Sequence, residues 1–208
     1  MSPLRVVFAL VAAIACISLP SRADEGSERA TAELLARRLK NENPDDLKLL
    51  GGVQEKDVVV VSGSYDHIAD VLKQAKIRHR VIPPIAVAEA DLRGNMIVMV
   101  DCPGNIGPKG LAKLEKFVRA GGLLYTTDWA LKNVIEKAFP GTVKHNGQST
   151  GDHVVPVAID ESADNMMSRV LLREGSKPQW WLVGGSYPIT ILDPKRLEEI
   201  LRRNLGEL

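Results

Sequence analysis

Apolar positions follow two alternating rhythms along this chain. Residues 57–63, DVVVVSG, form an unbroken β-branched run, the mark of a strand buried on both faces of a parallel sheet. The next segment, SYDHIADVLKQAK, changes period. Ile68, Val71, Leu72 and Ala75 fall on one helical stripe, and Ser64 stands where a cap is wanted. A short strand over 79–83 stops at Pro83-Pro84, and NMIVMVD over 95–101 is a second apolar run. A helix then opens at Pro108, turns Leu111, Leu114, Phe117 and Val118 inward, and closes at Gly121-Gly122. LLYTT over 123–127 is predicted as a third buried strand. Asp128 is placed to cap the following helix, whose stripe is Leu131, Val134, Ile135 and Ala138 and whose end is Pro140-Gly141.

The second half is less regular. HVVPVAI (153–159), WWLVGG (180–185) and PITIL (188–192) read as strands. A last helix follows, with Asp193 capping, Pro194 at its first position, and Leu197, Ile200 and Leu201 inward. Strands alternating with helices predict an α/β fold: a three-layer, flavodoxin-like parallel sheet with helices on both faces. The domain is expected over 53–208, after an amphipathic helix (28–40) and linker within 24–52.

The first 23 residues have the layout of a secretory signal peptide. One cation precedes the apolar stretch Val6–Leu19, Pro20 breaks it, and Ser21-Arg22-Ala23 offers a cleavage site. This predicts an exported protein, periplasmic or secreted. Cys16 after Ala15 gives the alternative of a lipid-anchored protein, and only that lipid would bring it to a membrane. Cleavage after Ala23 would leave Cys102 as the sole cysteine of the two in the chain, which excludes an intramolecular disulfide.

Composition narrows the function classes. The chain of 208 residues is 45% hydrophobic and 25% charged, a globular profile. With a net charge of +1 and no aromatic residues interleaved with basic ones, nucleic-acid binding has no support. In open α/β sheets ligands gather beyond the carboxyl ends of the strands. Three loops qualify, 63–67, 101–109 and 126–129, with Ser64, Tyr65, Asp66, His67, Asp101, Cys102, Asn105, Thr127, Asp128 and Trp129. Gly104, Gly107 and Gly110 suggest a phosphate cradle, but match neither the dinucleotide fingerprint nor the P-loop and read first as a turn. His67, His79, His145 and His153 lie on separate elements, so no metal site is expected and no cofactor is called for. Of Trp180 and Trp181, a strand would turn one into the core and leave the other for stacking.

The stretch from DVVVVSG through DHIADVLKQAKI and DCPGNIGPKGLAKLEKFVRAGGLLYTTDWALKNVIEKAFPG, roughly residues 55–141, resembles the class I glutamine amidotransferase-like superfamily. Within it the likeness is to the trehalose-utilisation-type, non-amidotransferase branch. The resemblance implies a flavodoxin-like sheet, an oxyanion-side turn at Pro103-Gly104-Asn105, and a nucleophile elbow at about Asp128. Thr127, Asp128 and Trp129 occupy that elbow, with no cysteine or serine, and the family's triad histidine has no clear counterpart, His153 being the one candidate left. Relatives often continue with another strand, so an abbreviated chain with an uncovered sheet edge is also expected.

Two functional expectations follow. One is an exported, non-catalytic binding or scaffold protein, in which Ser64, Tyr65, Asn105, Thr127, Asp128 and Trp129 contact an unidentified small molecule or protein partner. The other is a thiol-dependent hydrolase or redox enzyme using Cys102, with His67 and Asp128 as the other catalytic candidates.

Overall fold

The computed structural model describes residues 44–156, 179–182 and 188–196, together with single helical positions at 33, 37, 40 and 41. The expected leader with Cys16, most of the helix expected over 28–40, the side chains of Trp180 and Trp181, and the part of the expected last helix beyond 196 lie outside the described residues. Among the described residues no helix is long and apolar enough to cross a membrane.

The frame is α/β. A helix α1 (Pro44–Gly51) and a 3-10 turn (Glu55–Asp57) lead into β1 (Val58–Val61), followed by α2 (Ile68–Gln74) and β2 (Arg80–Ile82). A 3-10 segment (Pro84–Glu89) reaches β3 (Ile97–Val100), and α3 (Pro108–Arg119) returns the chain to β4 (Leu123–Thr126). These four strands form one sheet, ordered β2-β1-β3-β4 and parallel throughout.

The β-branched runs become β1 and β3 because both faces of each are covered. Val58 and Val60 join Ile97 and Met99 on one face, under Ile68, Val71 and Leu72 of α2. Val59 and Val61 join Val98 and Val100 on the other, under Leu114, Phe117 and Val118 of α3. Every residue of β1 and β3 is buried. The strand β4 departs from its expectation: only Leu123 is fully buried, because β4 has β3 on one side alone among the described residues.

After β4 the backbone runs through Thr127–Ala130 into a π-helical turn (Leu131–Ile135) and a last helical turn α4 (Glu136–Ala138). Two small antiparallel ladders complete the description. One pairs β5 (Val143–His145), which the apolar pattern did not announce, with β8 (Ile189–Ile191). The other pairs β6 (His153–Pro156) with β7 (Gln179–Leu182). Asp193 caps the turn that follows β8 as expected, accepting the Arg196 N–H at 3.0 Å.

Candidate functional site

In the order β2-β1-β3-β4, the crossover after β1 runs outward to β2 while that after β3 runs to β4. The two connections part at β1 and β3, the switch point where α/β sheets open a crevice. The loops leaving these two strands, 62–67 and 101–107, meet there backbone to backbone. The Ser64 and Tyr65 N–H groups donate to the Cys102 carbonyl at 2.9 and 3.4 Å. Gly63 makes this approach possible, since a Cβ at that position would lie 2.0 Å from the same carbonyl oxygen.

Asp66 ties three loops together. Its Oδ2 accepts the Cys102 N–H at 2.9 Å and the hydroxyl of Thr127, whose Oγ1 also lies 3.0 Å from the Cys102 nitrogen. Asp101, only 3% exposed, accepts the Ile68 N–H through Oδ1 at 3.3 Å. The first turn of α2 is therefore capped from the end of β3, across the switch point. This corrects the expectation for Ser64. The helix starts at Ile68 with His67 as its N-cap and no side-chain cap of its own. Ser64 lies exposed in the loop, because that loop is drawn onto the Cys102 carbonyl.

Asp128 occupies the turn between β4 and the π-helical turn with φ +38, a left-handed conformation rare for a residue bearing a side chain. The expectation that its carboxylate caps the next helix is not met. The π turn has Ala130 as its N-cap and no side-chain cap bond. The Asp128 carboxylate instead accepts the Cys102 thiol, with Sγ to Oδ2 at 3.8 Å. The Asn133 amide donates to the Pro103 carbonyl at 2.7 Å and fastens the π turn to the β3 loop.

Desolvation perturbs Asp101, Asp128 and Cys102. Among the described residues no ion pair engages Asp66, Asp101 or Asp128. Desolvation pushes Asp101 up to about 6, with Asp66 adding to the rise against the Ile68 and Gly63 N–H groups and His67. Asp128 is exposed, but partial desolvation and then the Asp66 charge raise it above the ordinary carboxylate range. Cys102, 1% exposed, is pushed up to about 11, first by burial and then by the Asp66 and Asp128 carboxylates, against a backbone N–H of Trp129. A thiol so placed keeps its proton, whereas a reactive cysteine needs the opposite environment.

The sequence candidates thus divide. Cys102, Thr127 and Asp128 come together, joined by Asp66 and neighboured by Asp101. Tyr65 is 69% exposed and Trp129 42% exposed on the rims, and Asn105 is exposed in the β3 loop. His67 is an exposed N-cap whose charge reaches Asp101 and makes no bond to Cys102, so a Cys102–His67 pair is not formed. His153 lies on β6 opposite Leu182, outside this hydrogen-bond cluster. Gly104 is needed for packing: at φ +69, a Cβ there would meet Val134 and Ala130. Gly110 is likewise packed against Ile106 and Val87. Among the described residues no group of three or more His, Cys, Asp or Glu is arranged to hold a metal ion.

A cavity of about 60 Å³ opens beside the Asp128 turn, lined by Asp128, Trp129, Leu131, Lys132 and His145. Lys132 and His145 were not among the sequence candidates. The signal for His145 was the short alternation Val143-Lys144-His145 after the Gly141 turn, too brief to read as a strand. The Gly147 N–H donates to His145 Nδ1 at 2.8 Å, which leaves the ring hydrogen on Nε2 in the neutral form.

Fold and site together define an α/β protein whose polar residues converge at the carboxyl ends of a parallel sheet. No family model, curated protein or solved structure matches the chain.

Proposed function

We propose that this chain is an exported, non-catalytic binding or scaffold protein built on an amidotransferase-like, three-layer flavodoxin-like domain. The observation that carries the reading is Asp128. It combines φ +38 with a position between a parallel strand and a helical turn, the setting of a nucleophile elbow, and presents a carboxylate there. A carboxylate beside a second, Asp66, is a poor nucleophile toward an amide. Strand order supports the frame, since β2-β1-β3-β4 follows the flavodoxin-like order 2-1-3-4-5 as far as its fourth strand. Exposed Tyr65 and Trp129 flank the loops and suit a ligand or protein partner over Ser64, Asn105, Thr127 and Asp128. The alternative, an enzyme working through Cys102, is disfavoured by the thiol's burial and its rise to about 11.

Two measurements test the reading. Amide and ester hydrolysis by the purified protein should stay at background and be unchanged in Cys102→Ala and Asp128→Asn; activity lost in either variant would overturn it. Mass spectrometry of protein exported by a bacterial host should find a new N-terminus after Ala23, and an intact leader in a cytoplasmic product would refute export.

A further inference from the structure

The ladder of β5 and β8 carries an edge that no strand among the described residues meets. Its register places Val143 opposite Ile191, Lys144 opposite Thr190 and His145 opposite Ile189. The Asn146 N–H donates to the Pro188 carbonyl at 3.0 Å, and the Leu192 N–H to the Thr142 carbonyl at 2.8 Å. Because bonded and non-bonded pairs alternate in an antiparallel ladder, the bonded pairs are 142 with 192, 144 with 190, and 146 with 188. Thr190 therefore turns its N–H and carbonyl toward β5. Ile189 and Ile191 turn theirs away from it, where no strand among the described residues meets them. Their side chains are also open, 60% and 55% exposed, and Leu192 extends the apolar surface.

Each edge of the parallel sheet, by comparison, has a feature that blunts it. On β2 the chain meets Pro83-Pro84, without donors, directly after Ile82, and Arg80 brings charge. On β4 the side chains from Leu124 to Thr126 are half-buried against the core. By contrast, β8 bears no charge from Pro188 to Leu192. Its sequence Ile-Thr-Ile reads the same in both directions. An antiparallel copy of β8 centred on Thr190 would set Ile189 opposite Ile191 of the second copy, and Ile191 opposite its Ile189. Four main-chain hydrogen bonds would form, and four isoleucines would share one face. That match is what a two-fold, self-complementary interface requires.

We propose that β8 is the contact strand of a symmetric dimer, joining two β5–β8 ladders into one four-stranded antiparallel sheet with Thr190 on the dyad. A contact this short belongs with weak interfaces, below about 1,200 Å² in total.

Sedimentation of the full chain, in a Cys16→Ser background, tests it. The mass should climb from monomer toward dimer as concentration rises through tens of micromolar. Ile191→Pro removes an outward-facing N–H and leaves the Thr190 bonds to β5 intact. That variant should stay monomeric with an unchanged circular-dichroism spectrum. Cysteine crosslinking then tests the register independently. Two Thr190 positions face each other across the dyad within disulfide reach, whereas two Ile189 positions lie beyond about 7 Å. Mild oxidation should therefore crosslink Thr190→Cys at least about tenfold more than Ile189→Cys. A constant monomer mass, a dimer that survives Ile191→Pro, or equal crosslinking by the two cysteine variants would overturn the proposal.

Discussion

Replacing Asp101 by asparagine tests the electrostatics of the strand ends directly. Asp101 sits at the end of β3, nearly fully buried, with Ile68 bonded to one oxygen and no counter-ion among the described residues. Burial lifts its pKa from 3.8 to about 6. The folded state then holds this proton more tightly than the unfolded chain does. Between pH 3.8 and about 6 the native state binds more protons from this site, so stability falls as pH rises and levels off above the folded pKa. The displacement, converted at ~1.4 kcal/mol per unit, caps the cost at ~3 kcal/mol. Because the unfolded carboxyl is already more than half ionised at pH 4, the interval from pH 4 to pH 8 reads ~2 kcal/mol of it. Asparagine imitates the protonated acid, since its carbonyl oxygen can still accept the Ile68 N–H, and it carries no charge at any pH. Urea unfolding of the wild type and Asp101→Asn at pH 4 and pH 8 isolates the effect, because other titrating groups cancel in the comparison. The variant should gain ~2 kcal/mol relative to wild type on going from pH 4 to pH 8. A difference between the two proteins that does not change with pH, or that moves in favour of the wild type at pH 8, would refute the assignment of a raised pKa by burial.

Gly63→Ala should be among the most damaging single changes at the site. A methyl group there would sit 2.0 Å from the Cys102 carbonyl oxygen and 2.7 Å from Asp101 Cβ, so the two loops must part. A loss of ~3 kcal/mol is expected, read as a melting temperature lower by roughly 8 °C, and an unchanged melting curve would disprove the close approach. Asp128→Asn should be neutral or stabilising by a few tenths of a kcal/mol at pH 8, because asparagine tolerates φ > 0 and the repulsion from Asp66 is removed. A clear loss of stability would show that the carboxylate caps the following helix after all.

The parts of this fold legible in the sequence are those set by neighbours within one element. The valine run of β1 and the apolar run of β3 are continuous because each strand is buried on both faces, a condition every residue in the run records. Pro108 and Gly121 mark the ends of α3 because each suits its backbone position, the glycine at φ +96. The features that were not legible depend on residues far apart in the chain. The cap of α2 comes from Asp101, 33 residues after Ile68, rather than from nearby Ser64. No pattern around residue 64 could reveal that the Cys102 carbonyl draws its loop away. The half-burial of β4 reflects its place at the sheet's edge, which apolar content alone does not specify.

The same distinction reassigns Cys102. In the sequence it is a lone thiol ending an apolar strand, and its neighbours Asp101 and Pro103 give no hint of how its proton is held. In space it meets Asp66, brought from 36 residues earlier by the crossover geometry, and Asp128, brought by the sharp turn after β4. Both carboxylates bear on the thiol with the sign that keeps it protonated. A cysteine flanked by two carboxylates and sealed from solvent keeps its proton, which supports the proposed non-catalytic reading over a thiol nucleophile. Its main-chain N–H and carbonyl, bonded to Asp66 and to the 62–67 loop, then do more for the site than its sulfur. Any ligand over these loops would meet the exposed rims, Tyr65 and Trp129, and the carboxylate of Asp128 before it could reach Cys102.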